Sequence, residues 1–283
     1  MHVERKTILI TGASGGIGYE TALGLARMGH HIVMIARNRE RGEAAQRRIV
    51  QEAGADAAQL ILADLASQAD IRRAAAEVLD RYPRLDVLVN NAGLVQAKRV
   101  LTVDGFEMTF AVNHLAYFLL TNLLLDRLKA SAPARIVNVS SNAHKRSRFA
   151  FDDLQGERSF APYGSYAQSK LANILFTRAL ARRLAGTGVT VNCLHPGVVR
   201  TNIAGSGWHP LALAFRLFGL FYLSPSKGAE TSIYLASSPD VADVTGEYFD
   251  RKKSVKAAPS AYVEEDAERL WRLSAEMVGM AGI

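Results

Sequence analysis

Short apolar runs alternate with longer stretches of helical periodicity along nearly the whole chain. Runs of strand length occupy residues 7–10, 31–35, 59–62, 87–89, 135–139 and 189–194, with a last one expected at 247–250. Between them, apolar positions recur with helical spacing at 18–28, 40–52, 67–80, 106–129, 165–184, 226–236 and 261–278. Gly29 and Gly54 stand where the first two helices should stop. The strand runs are continuously apolar, as expected of strands buried on both faces. Their alternation with helices predicts a mostly parallel, doubly wound sheet in a three-layer α/β/α arrangement. No repeat and no Pro/Gly/Ser-rich linker divides the chain, so one domain is expected over residues 1–283, with an insertion at about 201–226.

Composition narrows the picture. Of 283 residues 49% are apolar, enough for a large core. The lone cysteine, Cys193, falls in the run 189–194, which makes it a core thiol, excludes an intramolecular disulfide and fits a reducing compartment. The net charge of +7 comes from dispersed sites such as Arg37, Arg39, Arg41, Arg47 and Arg48. No long basic block is interleaved with aromatics, so nucleic acid is not an expected partner, whereas an anionic cofactor is favoured by such a surface. The first strand begins at residue 7 without room for a signal h-region. The longest apolar stretch, 211–223, contains Arg216 and is too short to span a bilayer. No transmembrane segment and a cytoplasmic location are therefore expected. His144 and His209 lack metal-ligand spacing to carboxylates or Cys193, and no metal is expected.

The first strand ends in Thr11-Gly12-Ala13-Ser14-Gly15-Gly16-Ile17-Gly18 and a helix follows. Glycines here permit a tight turn and close approach of a pyrophosphate, which the following helix N-terminus attracts. Gly12, Ser14, Gly15, Gly16, Ile17 and Gly18 are thus candidate dinucleotide ligands in a Rossmann-type fold. An acid about twenty residues on would bind the ribose 2′-hydroxyl of NAD. The second strand ends instead in Arg37-Asn38-Arg39. A guanidinium at that position suits a 2′-phosphate, so NADP is expected over NAD, with Arg37 and Asn38 as ligands. Asp64 and Leu65 follow the third strand, where the acid could bind an adenine amino group or cap the next helix. Asn91, Ala92 and Gly93 follow the fourth, where small residues leave room for a ribose or make a plain turn.

Tyr166 and Lys170 are four apart in a helical stretch and so share a face. Ser141 ends the fifth strand and Asn113 lies in the preceding long helix. Hydride exchange at a carbonyl requires a proton at the oxygen. A tyrosine of pKa about 10 needs a neighbouring ammonium to favour its phenolate, which Lys170 would supply. Ser141 would hold the substrate oxygen, and Asn113 a water linking Lys170 to solvent. Singly, each has a structural reading: an exposed helical pair, a turn serine, an asparagine bonded to backbone.

Together these motifs resemble the short-chain dehydrogenase/reductase family over nearly the whole chain. The resemblance rests on the glycine turn, Asn90-Asn91-Ala92-Gly93, Asn113, Ser141, Tyr166-x-x-x-Lys170 and Pro196-Gly197, in that order. It implies an Asn–Ser–Tyr–Lys catalytic set, and places Pro196, Gly197, Val199 and Thr201 against the nicotinamide carboxamide and phosphates. A narrower likeness is to retinol dehydrogenase-like members. It is carried by the 25-residue interval from Ser141 to Tyr166 with Phe151–Glu157 inserted, by Ser169-Lys170-Leu171-Ala172-Asn173-Ile174-Leu175-Phe176, and by Thr245-Gly246-Glu247-Tyr248-Phe249.

The insertion supplies Phe215, Phe218, Phe221 and Tyr222 as an apolar wall, with glycines at 205, 207 and 219 for movement. It reads as a lid over a small lipophilic aldehyde, ketone or alcohol. The alternatives are a peripheral membrane contact or a partner surface. The helix at 165–184 could pair with a second copy in a homodimer or homotetramer. A binding protein that senses NADP without turnover is the rival from another functional class.

Overall fold

The computed structural model describes residues 5–147, 149–198, 223–280 and 282. Val199, Thr201 and nearly all of the expected lid lie outside the described residues. Eight strands form one sheet in the order β3-β2-β1-β4-β5-β6-β7-β8. They are β1 (Thr7–Thr11), β2 (His31–Ala36), β3 (Ala58–Leu62), β4 (Val87–Asn90), β5 (Ala134–Val139), β6 (Val189–His195), β7 (Tyr248–Asp250) and β8 (Lys253–Ser254). All pairs are parallel except β7 with β8. β1 pairs with β2 on one side and β4 on the other, Ile8 facing both Ile32 and Val87. The chain therefore winds outward in both directions from the β1/β4 boundary, and the strands' carboxyl ends open a crevice there.

The helices are α1 (Gly16–Arg27), α2 (Arg39–Ala53), α3 (Gln68–Arg81), α4 (Met108–Ala130), α5 (Pro162–Arg183), α6 (Pro225–Ser237) and α7 (Glu264–Met277). Successive strand residues point to opposite faces. Leu9, Leu88 and Ile136 enter the core under α3, α4 and α5, while Ile8, Ile10, Met34 and Val137 enter the one under α1, α2 and α6. α4 has the length and mean hydropathy (1.4) of a membrane span, but 78% of that stretch is buried inside the fold, so its apolar character is that of a core helix.

Three features depart from the sequence reading. The helix expected at 106–129 contains a π turn at Ala111–Leu115 between α-helical pieces. β8 was not foreseen, because its hairpin turn uses Arg251 (φ 49°) and Lys252 (φ 64°) where such turns usually signal themselves with Asn or Gly. The helix expected at 261–278 begins at Glu264, after a 3₁₀ turn at Pro259–Tyr262.

The last helix packs along α5, the helix the sequence offered for self-association. Trp271 stacks on Phe176 (5.8 Å between ring centroids) and meets Phe118 edge-on at 4.9 Å. Arg183 lies 4.0 Å above the Trp271 ring and shares Glu268 with Arg182. These two guanidinium groups hold the Glu268 carboxyl down to about 2. The ion pairs are solvent-screened, so the Arg183→Ala variant is expected to lose only about 1 kcal/mol in denaturant unfolding, chiefly from the ring contact.

Candidate active site

A cavity of about 550 Å³ opens at the carboxyl ends of β1 to β5. Its floor is the glycine turn, whose shape requires glycine at two places. Gly12 takes φ 68°, and a Cβ there would lie 2.9 Å from the Cα of Ala92. A Cβ on Gly18 would sit 2.4 Å from both the Gly12 carbonyl oxygen and Asn91 Nδ2. The loop after β4 is fastened to this turn: Thr11 Oγ1 accepts the N–H groups of Asn91 (2.9 Å) and Ala92 (3.0 Å), and Asn91 Nδ2 donates to the Thr11 carbonyl (2.9 Å). Small residues at 91–93 thus serve close backbone approach as well as space. α1 starts at an extended Gly15 with no side-chain cap, and a Cβ on Gly15 would meet nothing within 4 Å. Ser14, Gly15, Gly16 and Ile17 line the cavity beside that helix N-terminus, a setting that favours an anion.

At the far end, Arg37 is exposed and lies 3.7 Å from Asp64. Asn38 uses its side-chain oxygen to cap α2, accepting the Arg41 N–H at 2.9 Å. Asp64 does not cap α3; that role belongs to Ser67, while Asp64 closes a turn over Ala66 (3.0 Å). Leu65 is buried against the cavity. Arg41 lines the cavity as well and has no ion pair among the described residues. The sequence reading counted it only among the dispersed basic residues; its place in the first turn of α2, just after Arg37, is the signal that would have found it.

The chemical end is formed by β5, α4 and α5. Ser140 Oγ donates to the Lys170 carbonyl (2.7 Å), tying the end of β5 to α5. Ser141 accepts the Ala143 N–H (3.2 Å) and hydrogen-bonds the Tyr166 side chain. His144, expected as a loop residue, is wholly buried and holds Ser141 in place. Its Nδ1 donates to the Ser141 carbonyl (2.6 Å), and its Nε2 accepts the Ala258 N–H (3.0 Å), which fixes the tautomer.

Lys170 is buried, with Nζ donating to the Val139 carbonyl (3.0 Å) and lying 5.7 Å from the centre of the Tyr166 ring. Burial lowers the ammonium to about 7. Burial also holds the Tyr166 phenol above its ordinary value, with the Ser141 hydrogen bond pulling the other way. Removal from water disfavours phenolate and ammonium alike, so burial is the leading cause of both shifts. Asn113 sits in the π turn. Its amide accepts the Leu94 N–H (2.8 Å) and donates to the Leu94 carbonyl (2.9 Å) and to Ser169 Oγ (3.0 Å). These bonds fasten the loop after β4 to α4. Gly93 lies between, its would-be Cβ 3.3 Å from Asn113 Oδ1 and 3.4 Å from Lys170 Nζ. Pro196 lines the cavity beyond β6, and Gly197 takes φ 87°. Of the predicted residues within the described parts of the chain, all line the cavity except Asn113, Ser141 and Gly197.

The sequence profile of the short chain dehydrogenase family matches residues 6–210. Retinol dehydrogenase 14 of Mus musculus is 50% identical over 97% of this chain and 86% of its own length. Retinol dehydrogenase 13 of Homo sapiens is 48% identical over 97% and 85%. Among solved structures, an uncharacterized protein from Mycobacterium Paratuberculosis superimposes with a TM-score of 0.80 at 35% identity, covering 98% of this chain and 94% of that one. A short chain dehydrogenase from Burkholderia cenocepacia in complex with NADP does so with a TM-score of 0.69 at 29% identity, over 86% and 95%. With its doubly wound sheet, glycine turn and Ser–Tyr–Lys cluster, the chain belongs to the short-chain dehydrogenase/reductase family, in the retinol dehydrogenase-like branch, and is an oxidoreductase acting on CH–OH groups.

Proposed function

We propose that the chain interconverts a small lipophilic aldehyde or ketone and its alcohol, using NADP(H) and Tyr166 as the acid/base. The observation that carries this reading is the joining of Ser141, Tyr166 and Lys170 to a glycine-turn cavity whose uncapped helix N-terminus suits a pyrophosphate. The cofactor would lie along Gly12–Gly18, Asp64, Leu65 and Asn91–Gly93 toward Pro196, and its nicotinamide supplies or accepts the hydride. Ser141 holds the substrate oxygen, and Tyr166 gives it a proton in reduction and removes one in oxidation. Lys170, held on the Val139 carbonyl, favours the phenolate when charged. Asn113 fixes the loop that carries Gly93 past Lys170. The preference for a lipophilic substrate is supported by the retinol named for the two relatives.

NADP is favoured over NAD because the position just after β2 is held by Arg37 rather than by an acid, and because Arg41 adds a second guanidinium to the same end of the cavity. Charged hydrogen bonds of this kind contribute about 1.5–3 kcal/mol each. The Arg37→Ala/Arg41→Ala double variant is therefore expected to bind NADPH at least about tenfold more weakly while its NADH affinity stays unchanged, as read by cofactor fluorescence. Equal weakening toward both cofactors would contradict the assignment.

A further inference from the structure

We propose that Asn173, which lies outside the cofactor cavity, is a positioning residue for the Tyr166–Lys170 pair, clamping the π turn of α4 and the end of β5 onto α5. The inference rests on the reading of Tyr166 and Lys170 given above. Asn173 is fully buried, three residues beyond Lys170 and seven beyond Tyr166, so all three share one face of α5. Its Nδ2 donates to the Asn113 carbonyl (2.9 Å) and to the Val139 carbonyl (3.3 Å). The Val139 carbonyl is the same oxygen that receives Lys170 Nζ at 3.0 Å. One amide therefore bridges the residue that braces the Gly93 loop and the group that anchors the lysine.

The orientation of this amide is determined by its partners. Both carbonyls are acceptors only, so nitrogen must face them and oxygen must face away. That oxygen lies 3.4 Å from Nδ1 of His114, a fully buried ring whose Nε2 is 2.8 Å from Ser274 Oγ on α7. Nδ1 then carries the proton, and Nε2 accepts from the serine hydroxyl. The clamp is thus braced from behind by α7. Asn113 takes part in this clamp only through its backbone carbonyl in the π turn, which accepts from Asn173.

A residue that merely supports the fold would change stability without separating binding from turnover. Thr177 provides the comparison: it is equally buried one turn further on, donates to the Asn173 carbonyl and accepts from Asn138, and these bonds reach neither Asn113 nor Val139. The experiment measures kcat, substrate KM, NADPH Kd and Tm for the Asn173→Ala, Asn173→Ser, Thr177→Val and Tyr166→Phe variants of the full chain. Expected for Asn173→Ala is a fall in kcat of tenfold or more per cofactor-binding site, with KM and NADPH Kd within about twofold of the parent. Asn173→Ser, which keeps one donor, should recover part of that loss, and it serves as the test where the alanine variant does not fold. Thr177→Val should lower Tm and leave kcat in place. The inference is overturned when Asn173→Ala and Asn173→Ser lose only Tm, as Thr177→Val does, or when kcat, KM and Kd all deteriorate together. An active Tyr166→Phe would instead overturn the underlying functional reading, so the two failures are distinguishable.

Discussion

The Tyr166→Phe variant should retain the parent's affinity for NADPH and lose about 10²–10⁴-fold in turnover, the usual contribution of a positioned acid/base group. The phenol oxygen is the only atom removed, and its hydrogen-bond partner Ser141 keeps its support from Ala143 and His144. The loss should therefore fall on kcat rather than on binding. A pH dependence accompanies it in the parent enzyme. Burial keeps Tyr166 protonated at neutral pH, which suits carbonyl reduction, while Lys170 titrates near 7. A base with a lowered value is charged below it and neutral above, so carbonyl reduction should be sustained below pH 7 and decline as the pH rises through 7. Stopped assays of carbonyl reduction from pH 5.5 to 9 test this; a rate that climbs steadily across that range would contradict the assignment of Lys170.

The Gly18→Ala variant should lose NADPH binding by about a hundredfold or more and also unfold more readily. Its Cβ would be driven to 2.4 Å from the Gly12 carbonyl oxygen of the glycine turn and from Asn91 Nδ2, which latches the loop after β4 to the Thr11 carbonyl. Backbone cannot yield as a flexible side chain can, so the turn must open and carry Asn91 and Ala92 with it. Overpacking of this kind ordinarily costs about 1–3 kcal/mol in stability. Gly15→Ala makes the internal control for the stability loss alone, since its Cβ meets no protein atom within 4 Å. Denaturant melts of both variants and NADPH titration of Gly18→Ala give the answer, and equal melts of the two, or parental NADPH affinity in Gly18→Ala, would show that the latch does not set the cofactor site.

The strands were legible because their burial on both faces writes itself as unbroken apolar runs, and every strand from β1 to β7 lies within a residue or so of its expected span. Features set by contacts between distant residues were not legible. The π turn follows from Asn113 and Asn173 meeting across two helices, 60 positions apart, and no local propensity reports that. The positive-φ turn before β8 is held by pairing of Phe249 with Ser254 rather than by turn-forming residues. In the site, residue types and order indicated which groups would gather, whereas their duties depended on geometry. Asn38 reads as a cofactor ligand by position; it lines the cavity and also caps α2. The Leu94 backbone bonds of the Asn113 side chain had no local signal. His144 reads as a loop residue because its partners, the Ser141 carbonyl and the Ala258 N–H, are backbone groups invisible to any motif.

The most direct test of the account follows the absorbance of the reduced cofactor while the purified protein meets a panel of lipophilic aldehydes and ketones, with NADPH and NADH in parallel. The account predicts turnover that is markedly faster, at subsaturating cofactor, with NADPH than with NADH. Tight NADPH binding with no turnover on any carbonyl, or on any alcohol with NADP in the reverse direction, would contradict it and leave a cofactor-sensing protein in its place.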